Sequence, residues 1–226
     1  MADAGPIAIL TAIPEELSAV RRAIPAAAGV VMTATGDGPK RAASGAAVFL
    51  ERHRPSAVIG AGLGGGLSPV LAVGEIVASR RVRFEVGDVA NPDPGLLERA
   101  LGAGARPATL ITVHRPAVST AAKSALAGGG SDDLLVVDME SAAWAREAAA
   151  RGIPYVVLRA VSDTAEEALP AFLDAAVGTD GSIRRGEVAR RALVEPSSWG
   201  TLLRMRRRLH DCSTALGAFL ARMLAS

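Results

Sequence analysis

Val137-Asp138-Met139-Glu140-Ser141-Ala142-Ala143 sits at the hinge of the unit that decides the fold. Ahead of it, Leu134-Leu135-Val136-Val137 is a short apolar run of the kind that forms a buried strand. Behind it, Ser141 to Arg151 reads as a helix capped by Gly152. Tyr155-Val156-Val157-Leu158 then reads as a second strand, followed by Arg159-Ala160-Val161-Ser162-Asp163. Strand, helix and strand in so short a span make a βαβ unit, and such units build parallel sheets.

The alternation continues outward toward the N-terminus. Strands are expected over 7–12, 30–35, 57–61, 74–82 and 108–113. Helices are expected from Pro14 to Ile24, Lys40 to Arg52 and Leu96 to Leu101, and over 119–127. Pro14 suits a first helical turn, and Glu15 and Glu16 complement its dipole. Residues 85–95 and 128–131 read as loops. Beyond Asp163 the alternation stops. Residues 165–196 are mixed, with a turn at Gly178-Thr179-Asp180-Gly181, and Trp199 to Leu224 reads as one long helix. The expectation is an α/β fold: a mixed, mostly parallel sheet flanked by helices, as a single domain over 1–226. Residues 165–226 form a helical extension packed on it. Ligands of such sheets bind beyond the carboxyl ends of the strands. That singles out Glu15 and Glu16, Gly36–Gly38, Gly60–Gly66, Asp138–Ser141 and Arg159–Asp163.

Composition narrows the function classes. Half of the 226 residues are apolar and 21% are charged, which is ordinary for a globular chain. No apolar run reaches the roughly 18–20 residues of a membrane span. The start of the chain has no basic region before its apolar stretch, so it does not read as a signal peptide, and a cytoplasmic location is the default expectation. The single cysteine, Cys212, excludes an internal disulfide and a cysteine-only metal site. No metal and no redox cofactor are expected. Aromatics are only 3%, and the net charge is only +2, so neither stacking platforms nor a strong positive field invite nucleic acid. Arginine supplies 23 of the 25 basic residues, Lys40 and Lys123 being the only lysines.

Gly60-Ala61-Gly62-Leu63-Gly64-Gly65 matches G-x-G-x-x-G after a strand. A dinucleotide site needs a helix straight afterwards and an acidic residue about 20 positions on. Pro69 and Gly74 leave no room for that helix, and positions 80 and 81 are arginines. Two readings remain: a tight turn, or a surface where Gly62, Gly64 and Gly65 let a sugar or anion approach backbone N–H groups.

The stretch from Val137 to Ala143 and the later Arg159-Ala160-Val161-Ser162-Asp163 together resemble the purine nucleoside phosphorylase/nucleosidase superfamily, including the methylthioadenosine/S-adenosylhomocysteine nucleosidases. The glycine cluster with Leu67, Val73-Gly74-Glu75-Ile76-Val77, and Ala12 to Leu17 resemble further family stretches in the same order, covering 7–163. Ala168-Leu169-Pro170, Gly178 to Gly181, Glu195-Pro196 and Leu202-Leu203 resemble the hopanoid-associated branch. That resemblance implies release of adenine from an adenosyl compound, adenosylhopane in that branch, by phosphorolysis or hydrolysis. It also implies a homo-oligomer.

Breaking an N-glycosidic bond builds positive charge on the sugar and negative charge on the base, and carboxyl groups serve both ends. The resemblance implies that Asp163 is the general acid toward purine N7, with Ser162 beside it. Burial at a strand end would raise the carboxyl's pKa into a useful range. The plainer reading is a cap for a helix over 164–169. Glu140 resembles the residue that accepts the ribose hydroxyls, and Met139 the one packed on the sugar; the plainer readings are a first-turn glutamate and core filler. Arg159 would either orient Asp163 or neutralise the carboxylates. Glu16 matches the glutamate that positions attacking water, or else only complements the helix dipole; Glu15 is the match if the register shifts by one.

Two departures stand out. Phosphorylases of the family hold phosphate with an arginine and a serine where this chain has Gly60 and Leu63. Phosphate would then rest on the backbone of Gly36–Gly38 or Gly62–Gly66. The aromatic residue that stacks on adenine is replaced in the stretch His114-Arg115-Pro116-Ala117-Val118, leaving Val118, or Phe84 from another loop, to cover the base; His114 reads as structural or catalytic. Arg204, Arg206, Arg207 and Arg208 beside Leu202, Leu203 and Leu209 make either a solvated face or a foot on an anionic membrane surface, where a lipid substrate would be met.

Overall fold

A computed structural model describes residues 5–24, 29–85, 87, 89, 91–128, 133–178, 184, 186 and 199–225. The elements run β1 (Ile7–Thr11), α1 (Pro14–Ala23), β2 (Val30–Ala34), α2 (Pro39–His53), β3 (Ala57–Gly66), β4 (Ile76–Phe84) and α3 (Pro94–Gly102). They continue β5 (Arg106–Thr112), α4 (Thr120–Ala127), β6 (Leu134–Asp138), α5 (Ser141–Ala149), β7 (Tyr155–Asp163), α6 (Phe172–Ala175) and α7 (Trp199–Ala225).

The strands order as β2-β1-β3-β6-β5-β4-β7, and β3 pairs with β7 as well. Five strands therefore close into a ring, with β1 and β2 running out from it as an open edge. The β3–β6 and β4–β7 pairs are antiparallel and the rest are parallel, as a mixed, mostly parallel sheet requires. Both faces are covered, which is why the strands read as continuous apolar runs rather than alternating ones. Ile9 packs with Val20, Leu216, Phe219 and Leu220 on the α1 and α7 side. Its neighbour Leu10 packs with Ala46, Leu50 and Trp144 on the α2 and α5 side.

Two strands run longer than their sequence implied, and they are the two that matter. β7 was expected to end at Leu158 but continues to Asp163, so Arg159 and Asp163 lie on the strand itself. β3 was expected to end at Ala61, yet the glycine cluster is extended strand to Gly66, not a turn. None of Gly60, Gly62, Gly64, Gly65 or Gly66 has a positive φ. What they provide is room. In the β3–β7 register Gly60 stands beside Val157, Gly62 beside Arg159 and Gly65 beside Asp163. A Cβ on Gly62 would lie 2.3 Å from the Arg159 Nη1, and one on Gly65 would lie 3.0 Å from the Asp163 carboxylate. The close approach foreseen for a ligand is made by the chain's own Arg159 and Asp163 side chains.

The extension past Asp163 is helical over α6 and α7, while 164–169 forms no helix. That removes the helix-cap reading of Asp163. Thr179 to Gly181 of the expected turn, Glu195-Pro196 and the loop over 129–131 lie outside the described residues. Cys212, Leu216, Phe219, Leu220 and Met223 bury one stripe of α7, and Gly217 lets it approach the Ala19 carbonyl of α1. Among the described residues no helix is long and apolar enough to cross a membrane.

Gly60 gives the clearest packing test. A Cβ there would meet the Trp144 ring at 2.7 Å and two Val157 methyls at 3.1 Å. Gly60→Ala should destabilise the fold by about 1–3 kcal/mol through overpacking. Urea unfolding should show a lower midpoint at unchanged slope; an unchanged midpoint would contradict this account of the glycine.

Candidate functional site

The site is assembled where β1, β3, β6 and β7 end, and its organising group is Asp138 at the end of β6. Asp138 Oδ1 accepts from the backbone N–H groups of Glu140 at 3.0 Å and Ser141 at 2.9 Å, capping the otherwise unpartnered start of α5. It also accepts from the Thr112 hydroxyl at 2.9 Å, and that hydroxyl in turn accepts from Ala142 N–H at 2.9 Å. Asp138 Oδ2 accepts from Ser141 Oγ and from Arg159 Nε, the latter at 3.2 Å.

Arg159 has only 1% of its surface exposed. Its Nε also donates to Ser141 Oγ at 3.1 Å, its Nη1 to the Leu63 carbonyl at 3.1 Å, and its Nη2 to Glu140 Oε2 at 3.4 Å. The guanidinium stands 4.8 Å from the centre of the Trp144 ring. Burial alone would lower its pKa, but Asp138, Glu140 and Glu16 outweigh that and hold it above the ordinary value. Its bonded carboxylates are Asp138 and Glu140, not Asp163.

Glu140 is buried, and its Oε1 accepts from the Gly38 N–H at 3.0 Å. Burial pushes its carboxyl up to about 7, against the pull of Arg159 and with help from Asp138. Glu16, in the first turn of α1, is buried, whereas Glu15 is exposed. Glu16 Oε2 accepts from Ala12 and Ile13 N–H groups at 2.9 and 3.2 Å, so the side chain does cap its helix. Its Oε1 accepts from Leu63 N–H at 3.0 Å and lies 3.0 Å from the position of a Cβ on Gly62, beside Arg159. Its pKa is raised by burial, with Arg159 opposing.

Asp163 lies across Gly65 on β7. Its Oδ1 accepts from the Ser162 hydroxyl at 2.5 Å, and that hydroxyl also reaches the Gly64 carbonyl at 3.2 Å. Its Oδ2 accepts from the ammonium of Lys123, a residue on α4 that is 1% exposed. The acid expected to be set by burial alone therefore faces a buried cation. Sequence reading counted Lys123 without seeing its place. The available signal was compositional: in a chain that uses arginine almost everywhere, a lysine is a choice.

Other expected residues fall as follows. Met139 is half-buried and packs against the cluster of Leu67, Ile111 and Val137, so it fills core and borders the site. Val118 is half-buried, and its carbonyl accepts from Leu169 N–H at 2.8 Å, which draws the segment after Asp163 over it. Phe84 and His114 line a different cavity, of about 450 Å³, with Lys40, Arg146 and Glu147; the Arg146 guanidinium lies 4.4 Å over the Phe84 ring. The N–H groups proposed for phosphate are already engaged: Gly36 donates to the Ala12 carbonyl at 3.0 Å and Gly38 to Glu140. Gly62, Gly64 and Gly65 lie within the β3–β7 ladder.

Four carboxyls and two buried cations thus meet around β3. Such a set suits protonation of a leaving group at one end and stabilisation of a cation at the other.

Glu140 carries a stability consequence. Its folded-state pKa lies above its ordinary value of 4.5, so its contribution is complete below that pH and is lost as pH rises through about 7. Glu140→Gln should flatten the fall in unfolding free energy across that window, read by urea titrations at a series of pH values. An identical pH slope in both proteins would exclude Glu140 as its source.

The chain matches the family model of the phosphorylase superfamily over residues 6–193. A 5′-methylthioadenosine/S-adenosylhomocysteine nucleosidase of Bacillus cytotoxicus is 30% identical over 158 aligned positions, covering 60% of this chain and 68% of that one. The fold superposes on a Helicobacter pylori nucleosidase of the same name, in a variant solved with 5′-methylthioadenosine in its active site, with TM-score 0.74, 14% identity and 98% coverage of both chains. The futalosine hydrolase of Helicobacter pylori superposes with TM-score 0.73, 15% identity and 98% coverage of both. A nucleosidase of Colwellia psychrerythraea in complex with adenine gives TM-score 0.72, 20% identity, and coverage of 99% of this chain and 96% of that one.

Proposed function

The chain belongs to the phosphorylase superfamily, and on that premise we propose that it hydrolyses the N-glycosidic bond of a 5′-substituted adenosine and releases adenine. The observation that carries this reading is that Glu16 and Glu140 flank the Arg159 guanidinium, while Asp163 stands farther along the same strand, across Gly65 and against Lys123. In this reading Asp163 gives its proton to N7 as the C1′–N9 bond breaks. Glu140 accepts the ribose hydroxyls and its charge stabilises the sugar cation. Water held by Glu16 adds to C1′ and leaves its proton on the Glu16 carboxylate, which burial makes the more basic. Water is favoured over phosphate because the buried carboxylate of Glu16 would repel an anion, and the N–H groups of Gly36 and Gly38 already have acceptors.

For the substrate we favour adenosylhopane. Supporting it, beside the resemblance of 168–203 to the hopanoid-associated branch, is a cavity of about 420 Å³ between the segment after Asp163 and α7. Leu169, Pro170, Phe172 and Met205 line it with Arg204 and Arg208. Leu169 of this lining bonds the Val118 carbonyl at 2.8 Å, so the cavity adjoins the segment after Asp163, and its apolar wall supports a substrate with an apolar 5′ substituent. The second reading, a methylthioadenosine/S-adenosylhomocysteine nucleosidase, is favoured by the Bacillus relative. Adenine release from adenosylhopane, 5′-methylthioadenosine and S-adenosylhomocysteine, each with and without phosphate, separates the two. Asp163→Asn should lose about 10²–10⁴-fold in kcat; retained turnover would refute the role of Asp163.

The same reading places the start of α7 against a membrane. Leu203 is 65% and Trp199 53% exposed there, beside exposed Arg204, Arg206 and Arg207. Arg208 is held by Glu167 at 2.5 Å and takes no part. Replacing Arg204, Arg206 and Arg207 by Gln should weaken co-sedimentation with phosphatidylglycerol vesicles. Equal binding by wild type and variant would sink the membrane foot.

A further inference from the structure

Lys123 is the one buried lysine among the described residues, and its surroundings match an ammonium group donor for donor. An ammonium has three N–H bonds to place. Here they go to Asp163 Oδ2, to the Thr164 carbonyl at 2.6 Å and to the Glu167 carbonyl at 2.8 Å. Burying such a charge is costly unless it is paired and fully hydrogen-bonded, and here it is both. Helix α4 fixes the stem: Ser119 caps it by accepting from Ala122 N–H at 3.1 Å, and Lys123 N–H donates to the Ser119 carbonyl at 3.0 Å. The far end of the segment is fixed too, since the Glu167 carboxylate pairs with Arg208 of α7. A planar guanidinium cannot converge on one carboxylate oxygen and two carbonyls as a compact ammonium does.

We propose that Lys123 is a positioning residue for Asp163. It locks one carboxyl oxygen, leaves the other to carry the proton that passes to the leaving base, and offsets the negative charge left when Asp163 has given up that proton. The ammonium keeps its three protons throughout; the proton on the base comes from Asp163, which regains one from solvent after adenine leaves. This rests on Asp163 being the acid that meets the base. It adds a second task for the same residue: by holding the Thr164 and Glu167 carbonyls, Lys123 ties the segment that crosses Val118 to the state of the acid.

The test uses the whole chain with 5′-methylthioadenosine and, separately, adenine. Wild type must release adenine; failure to do so with this and the other adenosyl substrates overturns the proposed function. With turnover established, Lys123→Met should lower kcat by about 10–100-fold, part of what a general acid contributes, with little change in KM. Lys123→Met combined with Asp163→Asn should be no slower than Asp163→Asn alone, as expected of groups acting as one unit. Wild-type kcat in Lys123→Met, or losses that multiply in the double variant, would overturn the inference while leaving the proposed function standing. Lys123→Gln gives the same readout should the Met variant fail to fold by circular dichroism. Calorimetric adenine binding tests the clamp without turnover: Lys123→Met and Asp163→Asn should weaken it together, and undiminished binding in Lys123→Met counts against the clamp.

Discussion

A guanidinium sealed from water must find an acceptor for each donor direction, and the site is arranged around meeting that demand for Arg159. Asp138, Ser141, Glu140 and the Leu63 carbonyl supply the acceptors, and the Trp144 ring closes one face. The partners come from three places: the end of β6, the start of α5 and the middle of β3. One buried cation thus ties together three elements that the sheet hydrogen bonds alone would leave free to shift. The same demand explains Gly62. Any side chain there would stand where the guanidinium stands.

The electrostatics follow from this arrangement. Removing one member of a buried ionic set is far more damaging than never having had it, because the survivors keep their desolvation cost. Asp138 is already committed to Arg159, to Ser141 and to the start of α5. That leaves Glu140 only the outer nitrogen of the guanidinium at 3.4 Å and one backbone N–H. Burial holds a carboxyl so placed well above its ordinary range, at about 7. It is poised to gain from a developing cation or a pair of hydroxyl donors, and that is a property of a site rather than of a strut.

Much of this was legible in the sequence, and the rest was hidden for physical reasons. β6, α5 and the start of β7 announce themselves by apolar runs and by Gly152. The pairing of Glu140 with Asp163 was carried by short motifs around them. β3 misled because glycine in a strand interior is locally unfavourable; only the side chains of β7 and α5 give those glycines a purpose. Lys123 stood out in composition, but its place was hidden for the opposite reason. Nothing near it in α4 is unusual, and its partner lies 40 positions later, so the contact exists only once α4 is docked beneath the end of β7.

The last link is the register of β7 itself. Along β3, Gly62 stands beside Arg159, Leu63 beside Ala160 and Gly64 beside Val161, but Gly65 stands beside Asp163. Ser162 is the extra residue. In an unbroken register Ser162 would stand beside Gly65 and the carboxyl beside Gly66, one step farther from the guanidinium. Such irregularities bend a strand and re-aim a side chain, and they gather next to active sites. Here the displaced residue is also used, since its hydroxyl bonds both the Gly64 carbonyl and Asp163. The bulge sets where the Asp163 carboxyl stands, the glycines make space for it, and Lys123 bonds it there. Arg159, on the regular part of the same strand, holds Asp138 and Glu140. One strand with one irregularity therefore spaces Asp163 from Glu140, the separation that the proposed cleavage would use at its two ends.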